Sequence, residues 1–165
     1  LRWRDMEQQF MRRALELARQ AFAEAEVPVG AVVVRDGIIV GEGRNRRETG
    51  NDALAHAELE AIYAACRKLG GWRLSDCDLY VTLEPCPMCA GAIINARIRR
   101  VIYGAKDPKA GSVDSVTRLF ELPYNHRPLV TGGVLEQECA EILSDFFKML
   151  RRKNKAGDIS KLGGS

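Results

Sequence analysis

Residues 77–104, CDLYVTLEPCPMCAGAIINARIRRVIYG, decide how this chain folds. An apolar run, CDLYVTL (77–83), breaks at a proline-flanked cysteine pair, and a second run follows as RRVIYG (99–104). Both are short and rich in β-branched and aromatic residues, which reads as strand. Residues 86–97 between them read as a helix, with Pro87 at the first helical position, where its missing N–H has no intrahelical partner to lose. Strand, helix and strand in this order form a β-α-β unit, so the two strands pair in parallel through a right-handed crossover.

Working outward, residues 5–25 carry Phe10, Ala14, Leu17 and Ala21 at the helical period. VPVGAVVV (27–34) and IIVGEG (38–43) read as two strands joined by a tight turn at Asp36-Gly37. The polar stretch RNRRETGND (44–52) leads to a second helix from about Ala55 to Leu69, stopped by Gly70-Gly71. Residues 105–128 read as a long loop, which in a compact domain is functional or mobile. A fifth strand is expected over 129–135. A last helix starts near Glu136 and buries Cys139, Ile142, Leu143, Phe146 and Leu150. From Lys155 the chain turns polar and Gly/Ser-rich. The expectation is one domain over 1–154, a disordered tail over 155–165, and an α/β fold layered α-β-α about one sheet.

A length of 165 residues is enough for one continuous core. No apolar run reaches the roughly 18–20 residues that span a bilayer. The charged start, LRWRDMEQQFMRR, lacks the apolar segment of a secretory signal, so no membrane association and a cytoplasmic location are expected. Five cysteines with one C-x-x-C then point to metal or redox chemistry rather than a disulfide framework. The net charge is only +3, yet KMLRRKNK (148–155) holds five basic residues and no acidic one. Such a run could meet phosphates; a solvated helix end explains it as well.

Cys86 falls at a helix start and Cys89 in its first turn. Unpaired N–H groups and the positive dipole end lower thiol pKa values there, and a metal binds the thiolate. A redox dithiol would expect a thioredoxin-like setting. A structural zinc normally takes four protein ligands, and neither Cys77 nor Cys139 forms a second C-x-x-C. An open site with three protein ligands and a water fits best, if a histidine joins. His126 lies in the loop sequence NHRP (125–128); His56 lies in AHAE (55–58) at the start of the second helix. A lone histidine is more often structural, but Glu58 two residues later favours His56. At a first turn both side chains can reach past the helix end, so two helix N-termini would converge on one metal from opposite sides of the strand between them. Two thiolates neutralise Zn²⁺, the imidazole adds no charge, and the open position keeps a water acidified by the metal. Glu58 would move its proton.

H-x-E at 56–58 followed by P-C-x-x-C at 85–89 resembles the signature of zinc-dependent deaminases. The flanking segments EVPVGAVVV (26–34), GAKDPKAG (104–111), NHR (125–127) and ECAEILSDFFKML (138–150) narrow the likeness. With them, nearly all of the chain resembles the bacterial tRNA adenosine deaminases. That resemblance implies a cytidine deaminase-like fold with a five-stranded mixed sheet, one Zn²⁺ per subunit, and a homodimer with active sites near its interface. It implies hydrolytic conversion of the wobble adenosine of a tRNA anticodon to inosine, with Glu58 shuttling protons for a zinc-activated water. It further implies that Asn45 hydrogen-bonds the target nucleoside and that Val29, Leu83 and the Ala57 backbone line the base pocket. Asp107, Lys109, Asn125, Phe147 and Arg151 would contact neighbouring nucleotides of the anticodon stem-loop.

Plainer roles exist for most of these. Val29 and Leu83 suit strand core, Asn45 and Asp107 suit turns, Asn125-His126 suits a loop anchor, and Phe147 suits helix packing, although Phe146 fits the buried face better. GSVDSVTRLFELPYNH (111–126) is shorter and more acidic than the Gly/Ser-Leu-rich segment of the relatives, so no contact is assigned to residues 112–124. Two rival functions share the motif: a deaminase of a free base or nucleoside, of guanine or cytosine type, and a non-catalytic zinc module that binds RNA. The second has no need of Glu58.

Overall fold

The computed structural model describes residues 2–162, with side chains through residue 157. In chain order it contains α1 (Trp3–Ala23), β1 (Gly30–Arg35), β2 (Ile38–Arg44), α2 (Ala57–Leu69), β3 (Cys77–Leu83), α3 (Pro87–Asn95) and β4 (Arg100–Ala105). A 3-10 turn (Leu119–Glu121), β5 (Leu129–Gly132) and α4 (Glu136–Leu162) complete it. The strands form one mixed sheet in the order β2-β1-β3-β4-β5. β1 pairs antiparallel with β2 and with β3, whereas β4 pairs parallel with β3 and with β5. Asp36 and Gly37 between β1 and β2 both take positive φ, 51° and 74°, as a two-residue hairpin turn of the I′ type requires.

Two antiparallel pairings make β2 parallel to β3, so β2-α2-β3 is a crossover like β3-α3-β4. Both crossovers step across the sheet in the same direction. Right-handedness therefore places α2 and α3 on one face, side by side, where they share a core with Leu79, Val81 and Val101. The expected approach from opposite sides of the intervening strand is thus corrected: both helices reach the site from the same layer. α1 and α4 cover the other face, over Val32, Val34, Tyr80 and Ile102.

The distance between α2 and the sheet is set by small residues. Ala57, Ala61 and Ala65, all fully buried, recur every four residues on one side of α2. They face Gly41 and Gly43 on β2, where a Cβ would strike the carbonyls of Ala61 and Ala57. α4 leaves β5 with Cys139 against Gly104 and reaches the C-terminal end of α1. There Phe146 meets Phe22 edge-on at 5.4 Å. Its face is less buried than the sequence predicts: Cys139 and Phe146 are buried, but Ile142, Leu143 and Leu150 only half-buried.

Other boundaries shift for local reasons. β5 stops at Gly132 rather than 135, because Gly133 (φ 86°) and Leu135 (φ 52°) leave extended backbone. The long loop contains a 3-10 turn whose middle residue, Phe120, is buried. Residues 155–162, expected as a disordered tail, continue α4 as helix, while 163–165 lie outside the described residues. No helix among the described residues is long and apolar enough to cross a membrane.

Candidate metal and active site

The carboxyl ends of β3 and β4 and the starts of α2 and α3 meet at one place. Crevices at the carboxyl ends of parallel strands are where such sheets bind ligands. His56 is the N-cap of α2 and Cys86 the N-cap of α3, both with extended backbone, so each side chain points off its helix end. Cys89 follows one turn into α3 and is fully buried. His56 Nδ1 lies 3.5 Å from Cys86 Sγ and 3.6 Å from Cys89 Sγ. The three ligand atoms all fall within 4.8 Å of one another, so a single metal ion could be held by them. His126 is not part of this group: its Nε2–H donates to the Ile98 carbonyl at 2.6 Å, which anchors the loop before β5.

The charges of the trio follow from their neighbours. A hydrogen bond from the Cys89 thiol, opposed by burial and helped by His56 and the Cys89 N–H, lowers the Cys86 thiol to about 4. The same bond, with burial and the nearby Glu58, holds the Cys89 thiol far above its ordinary value. Cys86, accepting a hydrogen bond from His56, raises the imidazole. Glu58, 4% exposed, sits in the first turn of α2. Burial lifts its carboxyl to about 7, against a backbone hydrogen bond that lowers it. A buried carboxyl near neutrality can both take and give a proton at working pH.

A cavity of about 120 Å³ opens beside Glu58. Its apolar wall is Val27, Val29 and Leu83, and Ala57 and Asn45 face it with His56 and Cys86. The structure thus gathers Asn45, Val29, Leu83 and Ala57 around one pocket. Asn45 is also a turn former: its Oδ1 accepts from Arg47 N–H at 3.2 Å and its Nδ2 donates to the Val27 carbonyl at 3.1 Å.

The other five candidates do not line the pocket. Asp107 Oδ1 accepts from the N–H groups of Lys109 and Ala110, at 3.0 and 3.2 Å, in the loop after β4. Phe147, 43% exposed, lies beside Phe146 midway along α4, where that helix meets α1, with Arg151 exposed one turn on. Asn125 is elsewhere. Its neighbour His126 is tied to Ile98, at the amino end of β4, roughly 15–20 Å (one strand length) from the pocket.

Sequence reasoning missed Val27, Arg47 and Glu84, which also line the cavity. Glu84 had a readable signal, an acidic residue closing an apolar run, because a carboxylate in a buried register needs partners. It is 2% exposed. Burial raises its carboxyl, but hydrogen bonds from the Ser115 hydroxyl and three backbone N–H groups outweigh this and leave it lowered. Glu26, just before the pocket-lining Val27, is a second buried carboxylate held by loop donors. It is fully buried and accepts from Glu48 N–H at 2.8 Å and from the Thr49 N–H and hydroxyl at 3.3 and 3.2 Å.

The three-layer α-β-α fold, with a buried acidic residue beside one histidine and two cysteines, places the chain among the deaminases. The family model described as MafB19-like deaminase matches residues 5–151. The tRNA-specific adenosine deaminase of Bacillus subtilis is 48% identical over 89% of this chain and 92% of its own. A solved structure from studies of A-to-I editing by tRNA A34 deaminases at the wobble position is 53% identical, with a TM-score of 0.80 over 82% of this chain and 99% of that one. A guanine deaminase from Nitrosomonas europaea is more distant, 27% identical with a TM-score of 0.70, over 84% of this chain and 83% of that one. The chain belongs to the tRNA-specific adenosine deaminase family.

Proposed function

We propose that this protein hydrolyses the wobble adenosine of a tRNA anticodon to inosine, with zinc held by His56, Cys86 and Cys89 and with Glu58 moving the protons. One observation carries the chemistry: a buried carboxyl, lifted to about 7, beside the trio and inside the pocket. The donor set fits zinc. Tetrahedral zinc, with bonds of about 2.3 Å to sulfur and about 2.05 Å to nitrogen, sets those atoms about 3.6 Å apart. Here they are 3.5 and 3.6 Å apart. Zinc at this site supplies Lewis acidity, lowering the pKa of a bound water toward neutrality.

The protein's own groups do the rest. Val29 and Leu83 hold the splayed-out base, with the Ala57 backbone beside it and Asn45 on the nucleoside. Glu58 takes a proton from the attacking water and delivers it to N1 as the C6–O bond forms. A second transfer through Glu58 moves the proton of the new C6 hydroxyl to the exocyclic nitrogen; the C6–N bond breaks as the C6 carbonyl forms, and ammonia leaves inosine. Asp107, Lys109, Phe147 and Arg151 receive neighbouring nucleotides of the anticodon stem-loop, and Asn125 contacts RNA outside the pocket. We assign the working form as a cytoplasmic homodimer. The family resemblance, five free cysteines, and exposed Leu54, Tyr63 and Trp72 on and beside α2 support that assignment. A monomeric mass by light scattering would remove the dimer.

The decisive test incubates zinc-loaded protein with transcribed tRNA bearing A34, and separately with adenosine, cytidine and guanine. Inosine at position 34 with ammonia from the tRNA alone is expected. Ammonia from a free base only would make the protein a free-base deaminase, and none from any substrate would make it a binding module.

A further inference from the structure

Glu84 stands between Leu83, a wall of the pocket, and the Pro85-Cys86 turn that delivers a metal ligand. It is 2% exposed, and none of its bonds comes from a cation. Five donors satisfy it instead. Oε1 accepts from Asp107 N–H at 3.2 Å and from the Ser115 hydroxyl at 2.5 Å. Oε2 accepts from the N–H groups of Val113, Asp114 and Ser115 at 3.3, 3.0 and 2.9 Å. Every donor belongs to the loop 107–115, which is built around the carboxylate. Gly111 packs so closely that a Cβ there would collide with the Glu84 carboxylate and the Asp107 carbonyl. Ser112 N–H closes the same loop onto the Pro85 carbonyl at 2.8 Å.

We propose that Glu84 is a positioning residue for RNA binding: its carboxylate replaces a missing strand for the 107–115 loop and fixes Asp107 and Lys109 relative to the pocket. This rests on the reading that those two residues meet the RNA. The chemistry requires a carboxylate. A glutamine offers one oxygen, so whichever way its amide turns, its NH₂ faces at least one buried N–H. A loop loosened in this way loses its hold on the RNA, while the trio, Glu58 and the pocket floor stay in place.

The experiment uses the full chain loaded with zinc, in wild-type, Glu84→Gln and Ser115→Ala forms. Steady-state kinetics are run on an anticodon stem-loop RNA with A34, alongside zinc content and deuterium exchange. Glu84→Gln is expected to keep full zinc while KM rises about tenfold or more, and Ser115→Ala, which lies outside the pocket lining, to keep kcat within about twofold with a smaller rise in KM. Exchange at 107–115 should quicken while β3 and β4 stay protected. An unchanged KM, or a fall in kcat together with lost zinc, overturns the proposal. If Glu84→Gln does not fold, Ser115→Ala decides by the same split. If wild type edits no RNA, the functional reading fails, and exchange alone judges the loop: quickening at 107–115 upholds the anchoring role, and unchanged exchange removes it.

Discussion

Glu58 and the thiols behave as they do because of what surrounds them within a few ångströms. Glu58 lies where burial holds its carboxyl near 7, and shuttling protons is a contribution of about 10²–10⁴ in rate. Glu58→Gln is therefore expected to lose that factor in inosine formation while binding zinc stoichiometrically by metal analysis; near-normal turnover would end its role. His56→Ala should lose both metal and activity. The cysteines divide just as sharply. Burial raises Cys77 to about 11 and Cys139 to about 12, whereas Cys86 is lowered to about 4. Alkylation follows the thiolate. In metal-free protein at pH 7, iodoacetamide should label Cys86 well before Cys77 or Cys139, and added zinc should protect it. Peptide mass mapping reads the order, and equal labelling of all three would contradict the assigned environments.

At the scale of elements, the site depends on how closely α2 lies on the sheet. The alanine edge of α2 rests on Gly41 and Gly43, and Ala57 is the residue between His56 and Glu58. A methyl group at Gly43 would push the first turn of α2 outward and carry both functional side chains with it. Gly43→Ala is expected to cost about 1–3 kcal/mol in denaturant unfolding, the usual range for overpacking a close contact. It should also weaken zinc binding in a chelator competition. Gly91 inside α3 has no side chain or other segment within 4 Å of where its Cβ would lie, so Gly91→Ala serves as the control: it should leave zinc binding unchanged and, as a helix-interior glycine, raise stability by about 0.5–1 kcal/mol rather than lower it. Equal zinc affinity in the two variants would mean that the approach of α2 does not set the site.

Across the whole molecule, the proposed function divides between the pocket, which would do the chemistry, and the exposed basic stretch of α4, which would hold the RNA. The pocket sets an apolar wall of Val27, Val29 and Leu83 beside Glu58, Glu84 and the cationic Arg47, while Lys148, Arg151 and Arg152 are exposed on α4 beyond Phe147. Replacing these three by glutamine is expected to raise KM for tRNA and leave kcat unchanged. The slope of log KM against log salt should flatten by about 2, at roughly 0.7 for each phosphate of single-stranded RNA that is no longer neutralised. An unchanged slope would return α4 to the role of a solvated helix end.

The sequence by itself determined most of the elements and which four residues come together at the site. Periodicity, the Asp36-Gly37 turn and the break at Pro85-Cys86 are local signals, and the strand-helix-strand order with right-handed crossovers carries the sheet pairing. The convergence of His56, Glu58, Cys86 and Cys89 was legible because all four sit at helix starts, and helix starts show in sequence. What only the tertiary structure decided were relations between distant segments. That α2 and α3 share one face follows from the strand order, which no single segment encodes. The distance of Asn125 from the pocket follows from β5 running parallel to β4. Glu84 and Glu26 look like ordinary acidic residues until the loops at 107–115 and 48–49 fold over them. Buried carboxylates are satisfied by backbone donors, which every residue carries, so no side-chain pattern marks where such partners will come from.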